Sequence, residues 1–183
     1  MKKILIVVDM QNDFINGVLG SQEAQNTVPK VVAKIESYVK HDYPVYFTKD
    51  VHEKDYLQTK EGKNLPIEHC IKGTFGCKFN EEILKWVQYI QQNTLQAIIF
   101  EKNSFGSVQL PKYIKNTLQE NEEVEIEVVG LNTDICVITN VLVLKAFLPE
   151  SDIVVDSNCC AGSSIEAHNN ALEAMKLCQI KIV

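Results

Sequence analysis

VEIEVVGLNTDICVIT, residues 124–139, sets two kinds of structure end to end. Val124–Val129 is a short run rich in β-branched residues, the pattern of a strand. From Ile135 to Leu148 the chain is apolar nearly all round, interrupted by Thr139, Asn140 and Lys145, which predicts a buried helix. Cys136 sits at the junction. The rest of the chain repeats this unit. Ile4–Val8, Val45–Thr48, Ala97–Phe100, Ile153–Val155 and Ile180–Val183 are nearly continuous apolar runs, as expected of parallel strands covered on both faces. Between them, Val28, Val31, Val32, Ile35 and Val39 recur at helical spacing, as do Ile83, Trp86, Val87 and Ile90, and His168, Ala171, Leu172 and Met175. Strand–helix alternation of this kind predicts a doubly wound α/β sheet, and such sheets bind ligands beyond the C-terminal ends of their strands.

Bulk properties narrow the field. A chain of 183 residues with 45% hydrophobic content has the size and composition of one domain, expected over residues 1–183. The formal net charge of -6, with no basic run, argues against a nucleic-acid partner. The apolar stretch after Cys136 is too short to span a membrane. The opening MKKILIVVDMQNDF begins like a signal peptide, but Asp9 interrupts it early and no small-residue cleavage site follows. It reads better as a first strand, so the expected location is cytoplasmic. The six cysteines include no CxxC pair, and most are expected to be small buried hydrophobes.

The residues that follow each strand carry the chemistry. Asp9 follows the first, Asp50 the second, Lys102 the third and Cys136 the fourth. Cysteine attacks as a thiolate, and a free thiol is mostly protonated at neutral pH. A helix N-terminus, a nearby lysine and a carboxylate that accepts the proton would together activate it. Each residue also has a plain alternative: Asp9 as a cap, Lys102 as a solvated side chain, Cys136 as packing. Spacing alone leaves the choice open.

Residues 50–76 break the strand–helix rhythm with a long polar stretch, DVHEKDYLQTKEGKNLPIEHCIKGTFG. Loops of this length in a compact domain are usually functional, the alternative being a surface insertion. Asp50-x-His52 points two possible ligands the same way from an extended segment. Glu61 and His69 follow. A carboxylate with two imidazoles suits zinc, manganese or iron. Cys70 and Cys77 match no common zinc-finger spacing.

VVDMQNDF, FTKDVH, PIEHCIKGTFG, FEKNSFGS and GLNTDICV, in that order across most of the chain, resemble the isochorismatase-like cysteine hydrolases, and among them the nicotinamidases. The resemblance implies a three-layer α/β/α fold with a six-stranded parallel sheet of order 3-2-1-4-5-6. It implies a catalytic triad of Asp9, Lys102 and Cys136, and an oxyanion hole from the backbone N–H groups of Asn132 and Cys136 beside a cis Leu131–Asn132 peptide. It implies one divalent metal ion, zinc before manganese or iron, held by Asp50, His52 and His69 with Glu61 as a direct or water-mediated fourth group. Substrate walls are expected from Phe14, from Phe105 or Phe75, and from Leu131. The implied activity is hydrolysis of a small amide, nicotinamide, in NAD salvage, by a homo-oligomer. One departure is visible: nicotinamidases often carry a tryptophan shortly before the second metal histidine, where this chain reads NLPIEHC, and Trp86 lies on an amphipathic segment that suits the core. A metal-free cysteine hydrolase of another small amide or ureido compound is the nearest rival. A non-catalytic binding domain on the same fold is a second. A dinucleotide-binding dehydrogenase is disfavoured because no GxGxxG follows the first strand.

Overall fold

A computed structural model describes residues 1–93, 98–119 and 122–183. In chain order its elements are β1 (Lys2–Val8), α1 (Asn12–Ile15), α2 (Gln22–Lys40), β2 (Val45–Asp50), α3 (Lys60–Asn64), α4 (Glu81–Gln92), β3 (Ile98–Lys102), α5 (Gln109–Thr117), β4 (Val124–Leu131), α6 (Ile138–Phe147), β5 (Asp152–Ala161), α7 (Ile165–Leu177) and β6 (Lys181–Ile182). Ala97, the expected start of the third strand, lies outside the described residues.

The strands form one parallel sheet of order β3-β2-β1-β4-β5-β6. The order reverses between β1 and β4, so a crevice opens there beyond their C-terminal ends. Alternation along β1 builds both layers. Ile4, Ile6 and Val8 join Leu110 and Ile114 of α5, Val141 and Leu144 of α6, and Leu172 and Met175 of α7. Leu5 and Val7 face the other way, toward Val31 and Ile35 of α2 and Ile83 and Val87 of α4. All five β1 residues from Ile4 to Val8 are fully buried. At about 1.5–3 kcal/mol for each large aliphatic side chain removed from water, this central strand is a main contributor to the core.

Helix starts follow local chemistry. The side chains of Ser21, Asn80 and Ser164 accept hydrogen bonds from Ala24, Glu82 and Ala167 N–H at the heads of α2, α4 and α7. Several elements escaped the sequence pattern in whole or in part. α5 is short, and its buried residues are Leu110, Pro111 and Ile114 only; Pro111 is tolerated in the first turn, where its missing N–H costs nothing. β5 runs on past Val155 to Ala161. Val155 pairs with Val128, but the next pair is Cys160 with Gly130, so the polar residues between bulge out of register and hide the strand's second half. The 50–76 stretch also contains structure: α3 and a 3₁₀ turn at Tyr56–Gln58, with Tyr56 fully buried.

Candidate active site

Asp9 leaves β1 in the left-handed region, φ 47°, which aspartate tolerates better than most residues. Its side chain is completely buried. Thr48 Oγ1 of β2 donates to Asp9 Oδ1 at 2.7 Å, and Lys102 Nζ lies 2.6 Å from Asp9 Oδ2. Lys102 ends β3, two strands from β1, and its long stem crosses over β2 to reach the acid. The same ammonium is 3.7 Å from Cys136 Sγ and 3.5 Å from Asp50 Oδ1.

Cys136 is brought to this point by a close approach of β4 to β1. Gly130 has φ +122°, and a Cβ there would collide with the Val8 carbonyl. The Leu131–Asn132 peptide is cis. The chain then makes a π-helical turn, Thr133–Val137, in which Ile135 and Val137 N–H both donate to the Asn132 carbonyl. Asp134 fastens the turn outward, accepting from Ser163 N–H at 2.8 Å and Ser163 Oγ at 2.6 Å. Asn140, one helical turn beyond Cys136, donates to the Cys136 carbonyl at 2.8 Å and accepts from Ser107 N–H at 3.0 Å, locking the loop after Lys102 onto the helix that follows Cys136.

The three titratable groups perturb one another. Burial pushes the Asp9 carboxyl up, and the Lys102 charge offsets this only in part. Burial would lower Lys102, but Asp9, Cys136 and Asp50 outweigh it and hold the ammonium firmly charged. The Cys136 thiol is pushed well above its ordinary value by burial and then by Asp9, against the pull of Lys102. The resting thiol therefore keeps its proton beside a carboxylate of raised basicity, which suits a proton transfer coupled to attack.

A second cluster abuts the first. Ligating atoms of Asp50, His52 and His69 all lie within 4.8 Å of one another. Glu61 Oε1 is 3.6 Å from His52 Nε2 and 3.7 Å from His69 Nε2. The chemistry of the set fits a divalent ion. His69 Nδ1 is 2.8 Å from the Ile67 carbonyl, which can only accept, so Nδ1 carries the hydrogen and Nε2 is left with the free lone pair. His52 Nε2 is buried without a hydrogen-bond partner, although Asp50 Oδ2 is 2.9 Å away. Burial raises the Glu61 carboxyl, partly offset by the charge of His52, and Asp50 adds to the rise; burial would lower His52, but the neighbouring Asp50 carboxylate outweighs it and raises the imidazole.

Both clusters open on one cavity of about 270 Å³. Its walls include Phe14, Phe105, Leu19, Leu65 and Ile135, with Asn132, Cys136, Asp50, Glu61 and His69 among the polar groups. Phe14 and Phe105, expected as substrate walls, both line this cavity. Phe75 is 71% exposed and does not line the cavity. Leu131 is also placed differently: it is fully buried in the core beneath α2 and is absent from the wall. Alternation from Val129 carries it to that face. Leu19, Leu65 and Ile135 take up the wall instead, and no periodicity marked the first two. Trp86 packs partly buried against the α2/α4 core, as its spacing suggested. Cys70, Cys77, Cys159 and Cys160 are buried free thiols. Among the described residues no helix is long and apolar enough to cross a membrane.

Known proteins share this architecture. The family model described as the isochorismatase domain matches residues 3–183. The nicotinamidase of Schizosaccharomyces pombe is 27% identical, the match covering 98% of this chain and 91% of the relative. Among solved structures, a nicotinamidase/pyrazinamidase from Bacillus subtilis superposes with a TM-score of 0.83 at 23% identity, covering 100% of both chains. A pyrazinamidase of Pyrococcus horikoshii in complex with zinc gives a TM-score of 0.79 at 25% identity, covering 100% of this chain and 99% of that one.

Proposed function

The chain belongs to the isochorismatase family, and from that premise we propose that it is an amidohydrolase that converts nicotinamide to nicotinate and ammonia through a thioester on Cys136. The observation that carries this reading is the convergence of Asp9, Lys102 and Cys136 beside a histidine–carboxylate cluster, with Cys136 and that cluster lining one small cavity. The cavity is at the low end for ligand sites and is walled by two phenylalanines, which suits a single planar ring bearing one carboxamide.

The Cys136 thiol passes its proton to Asp9 as the sulfur attacks the amide carbon and the C–S bond forms. Lys102 holds Asp9 in place and compensates the negative charge that the pair carries. The N–H groups of Asn132 and Cys136 receive the oxyanion, the preorganised kind of stabilisation that commonly dominates catalysis. On collapse the C–N bond breaks, and Asp9 returns its proton to the nitrogen, which leaves as ammonia. Asp9 then takes a proton from water as that water attacks the thioester. The C–S bond breaks, the carboxylic acid departs, and the proton on Asp9 restores the thiol. A divalent ion held by Asp50, His52 and His69 with Glu61, zinc before manganese or iron, would supply a Lewis-acid contact to the pyridine nitrogen and so fix the ring. The same reading carries a single domain over residues 1–183, a role in NAD salvage, a cytoplasmic location and a homo-oligomeric state.

The test is ammonia release from nicotinamide, before and after chelation and metal readdition, with Cys136→Ala as control. Release that needs both the metal and Cys136 is the expected result. No release from folded, metal-loaded protein would remove nicotinamide as the substrate. Release that survives chelation but not Cys136→Ala would favour the metal-free thiol hydrolase.

A further inference from the structure

β2 outruns the strand beside it. β1 pairs with β2 through Leu5, Ile6 and Val7, opposite Val45, Tyr46 and Phe47, and ends at Val8, whereas β2 continues to Asp50. At Asp50, a buried residue, no strand remains on the β1 side to meet the backbone. The side-chain amide of Gln11 meets it instead. Gln11 Oε1 accepts from Asp50 N–H at 2.7 Å, and Gln11 Nε2 donates to the Asp50 carbonyl at 2.7 Å. A carboxamide offers the same donor and acceptor as a peptide group, so Gln11 stands in for a strand residue. Its remaining N–H reaches the Cys77 carbonyl at 2.9 Å, and the side chain is completely buried.

The next two residues hold the rest of the same loop. Asn12 Nδ2 donates to the Phe75 carbonyl at 2.9 Å. Asp13 Oδ2 accepts from the N–H of Cys70, the neighbour of His69, at 2.8 Å. Asp13 N–H donates to the Gly76 carbonyl at 3.1 Å, and a Cβ on Gly76 would collide with the Asp13 carboxylate. The glycine lets this arm of the loop close on the turn.

We propose that Gln11 and Asp13 are positioning residues for the Asp50–His52–His69 centre: Gln11 fixes the arm that carries Asp50 and His52, and Asp13 fixes the arm that carries His69. Neither touches the ion or the substrate. The inference rests on the reading of that centre as a metal site. It gives the QND of the first turn a job separate from the acid–base work of Asp9, and it makes ligand spacing depend on a turn outside the loop.

The test uses the full chain, stripped of metal and titrated with zinc against a competing chelator. Gln11→Met and Asp13→Ala should weaken zinc binding by about 10–100-fold, the usual cost of losing an outer-shell partner. Asp13→Asn keeps an oxygen that can accept from Cys70 N–H and should recover most of the loss. In the metal-free proteins, well below the unfolding temperature, Gln11→Met and Asp13→Ala should be cleaved faster by protease within residues 51–78 than wild type. Wild-type zinc affinity in folded Gln11→Met and Asp13→Ala would overturn the inference. Should Gln11→Met fail to fold, Asp13→Ala against Asp13→Asn decides it. A wild-type chain that binds no zinc would instead overturn the metal reading itself, and the inference with it.

Discussion

Asp50 and Lys102 stand at facing positions of β2 and β3, and their side chains meet with Asp50 Oδ1 3.5 Å from Lys102 Nζ. The other carboxylate oxygen of Asp50 is 2.9 Å from His52 Nε2. One buried carboxylate thus faces the Asp9–Lys102–Cys136 cluster on one side and the histidine cluster on the other. The ammonium of Lys102 is in turn balanced by two acids, Asp9 and Asp50, rather than one.

Asp50→Asn and His69→Ala should therefore fail in different ways. Both remove a proposed ligand and should lower zinc affinity. His69→Ala leaves the surroundings of Lys102 intact, so excess zinc should restore much of its turnover. Asp50→Asn also strips Lys102 of a counter-charge, and a displaced lysine misplaces Asp9 and Cys136. A deficit of about 100-fold in kcat should persist at saturating zinc, the scale of a misplacement of about 1 Å at the reacting atoms. Ammonia release measured across a zinc titration separates the two. Equal recovery of both variants would show that Asp50 serves the metal alone.

How much of this site could be read from the sequence follows from how each part is positioned. Asp9, Lys102 and Cys136 each end or follow a strand, so locating the strands located them. Asp50 and His52 follow from a strand end and its period of two. His69 and Glu61 depend on the path of the loop: residue type made them candidates, and the resemblance gave them places in the set. Leu131 differs from the expectation because its backbone borders the turn that carries Cys136 while its side chain follows the parity of Val129 into the core beneath α2. Leu19 and Leu65 reach the cavity wall from connecting segments, where local sequence carries no directional signal. The second half of β5 was hidden because Asp156 and Asn158 break its apolar pattern where the strand bulges.

That bulge carries a charge network with a pH signature. Lys34 of α2 lies 2.6 Å from Glu127 Oε1 and 2.9 Å from Asp156 Oδ2, and Tyr38 OH donates to Glu127 Oε2 at 2.7 Å. Burial alone would raise Asp156, but the hydrogen bond and charge of Lys34 bring it below the ordinary 3.8. A carboxyl depressed in the folded state binds its proton more readily once unfolded. Its stabilising contribution is present above the unfolded value, near pH 4, and is lost as pH falls through the folded value. Asp156→Asn should lower the denaturant midpoint at pH 6 and flatten its decline below about pH 4. Parallel pH profiles for wild type and variant would show that Lys34 does not stabilise the ionised form.

Gly130 gives the sharpest separation of the proposed triad from the proposed metal cluster. Its φ of +122° lies where L side chains are strained, and any Cβ would strike the Val8 carbonyl directly before Asp9. Relief requires β4 to move away from β1 at the point where one strand delivers Cys136 and the other delivers Asp9. The Asp50 and His69 arms stem from β2 and the following loop, on the far side of β1 from β4, and need not move. Gly130→Ala should therefore destabilise the fold by more than about 1 kcal/mol, the usual penalty for alanine at an incompatible positive φ. It should lower kcat by about 100-fold while zinc affinity stays near wild type. Denaturant unfolding, steady-state ammonia release and a zinc titration on one preparation read the three quantities. Loss of zinc affinity in proportion to kcat would mean that the β1–β4 approach supports the whole strand edge rather than the Asp9–Cys136 pair.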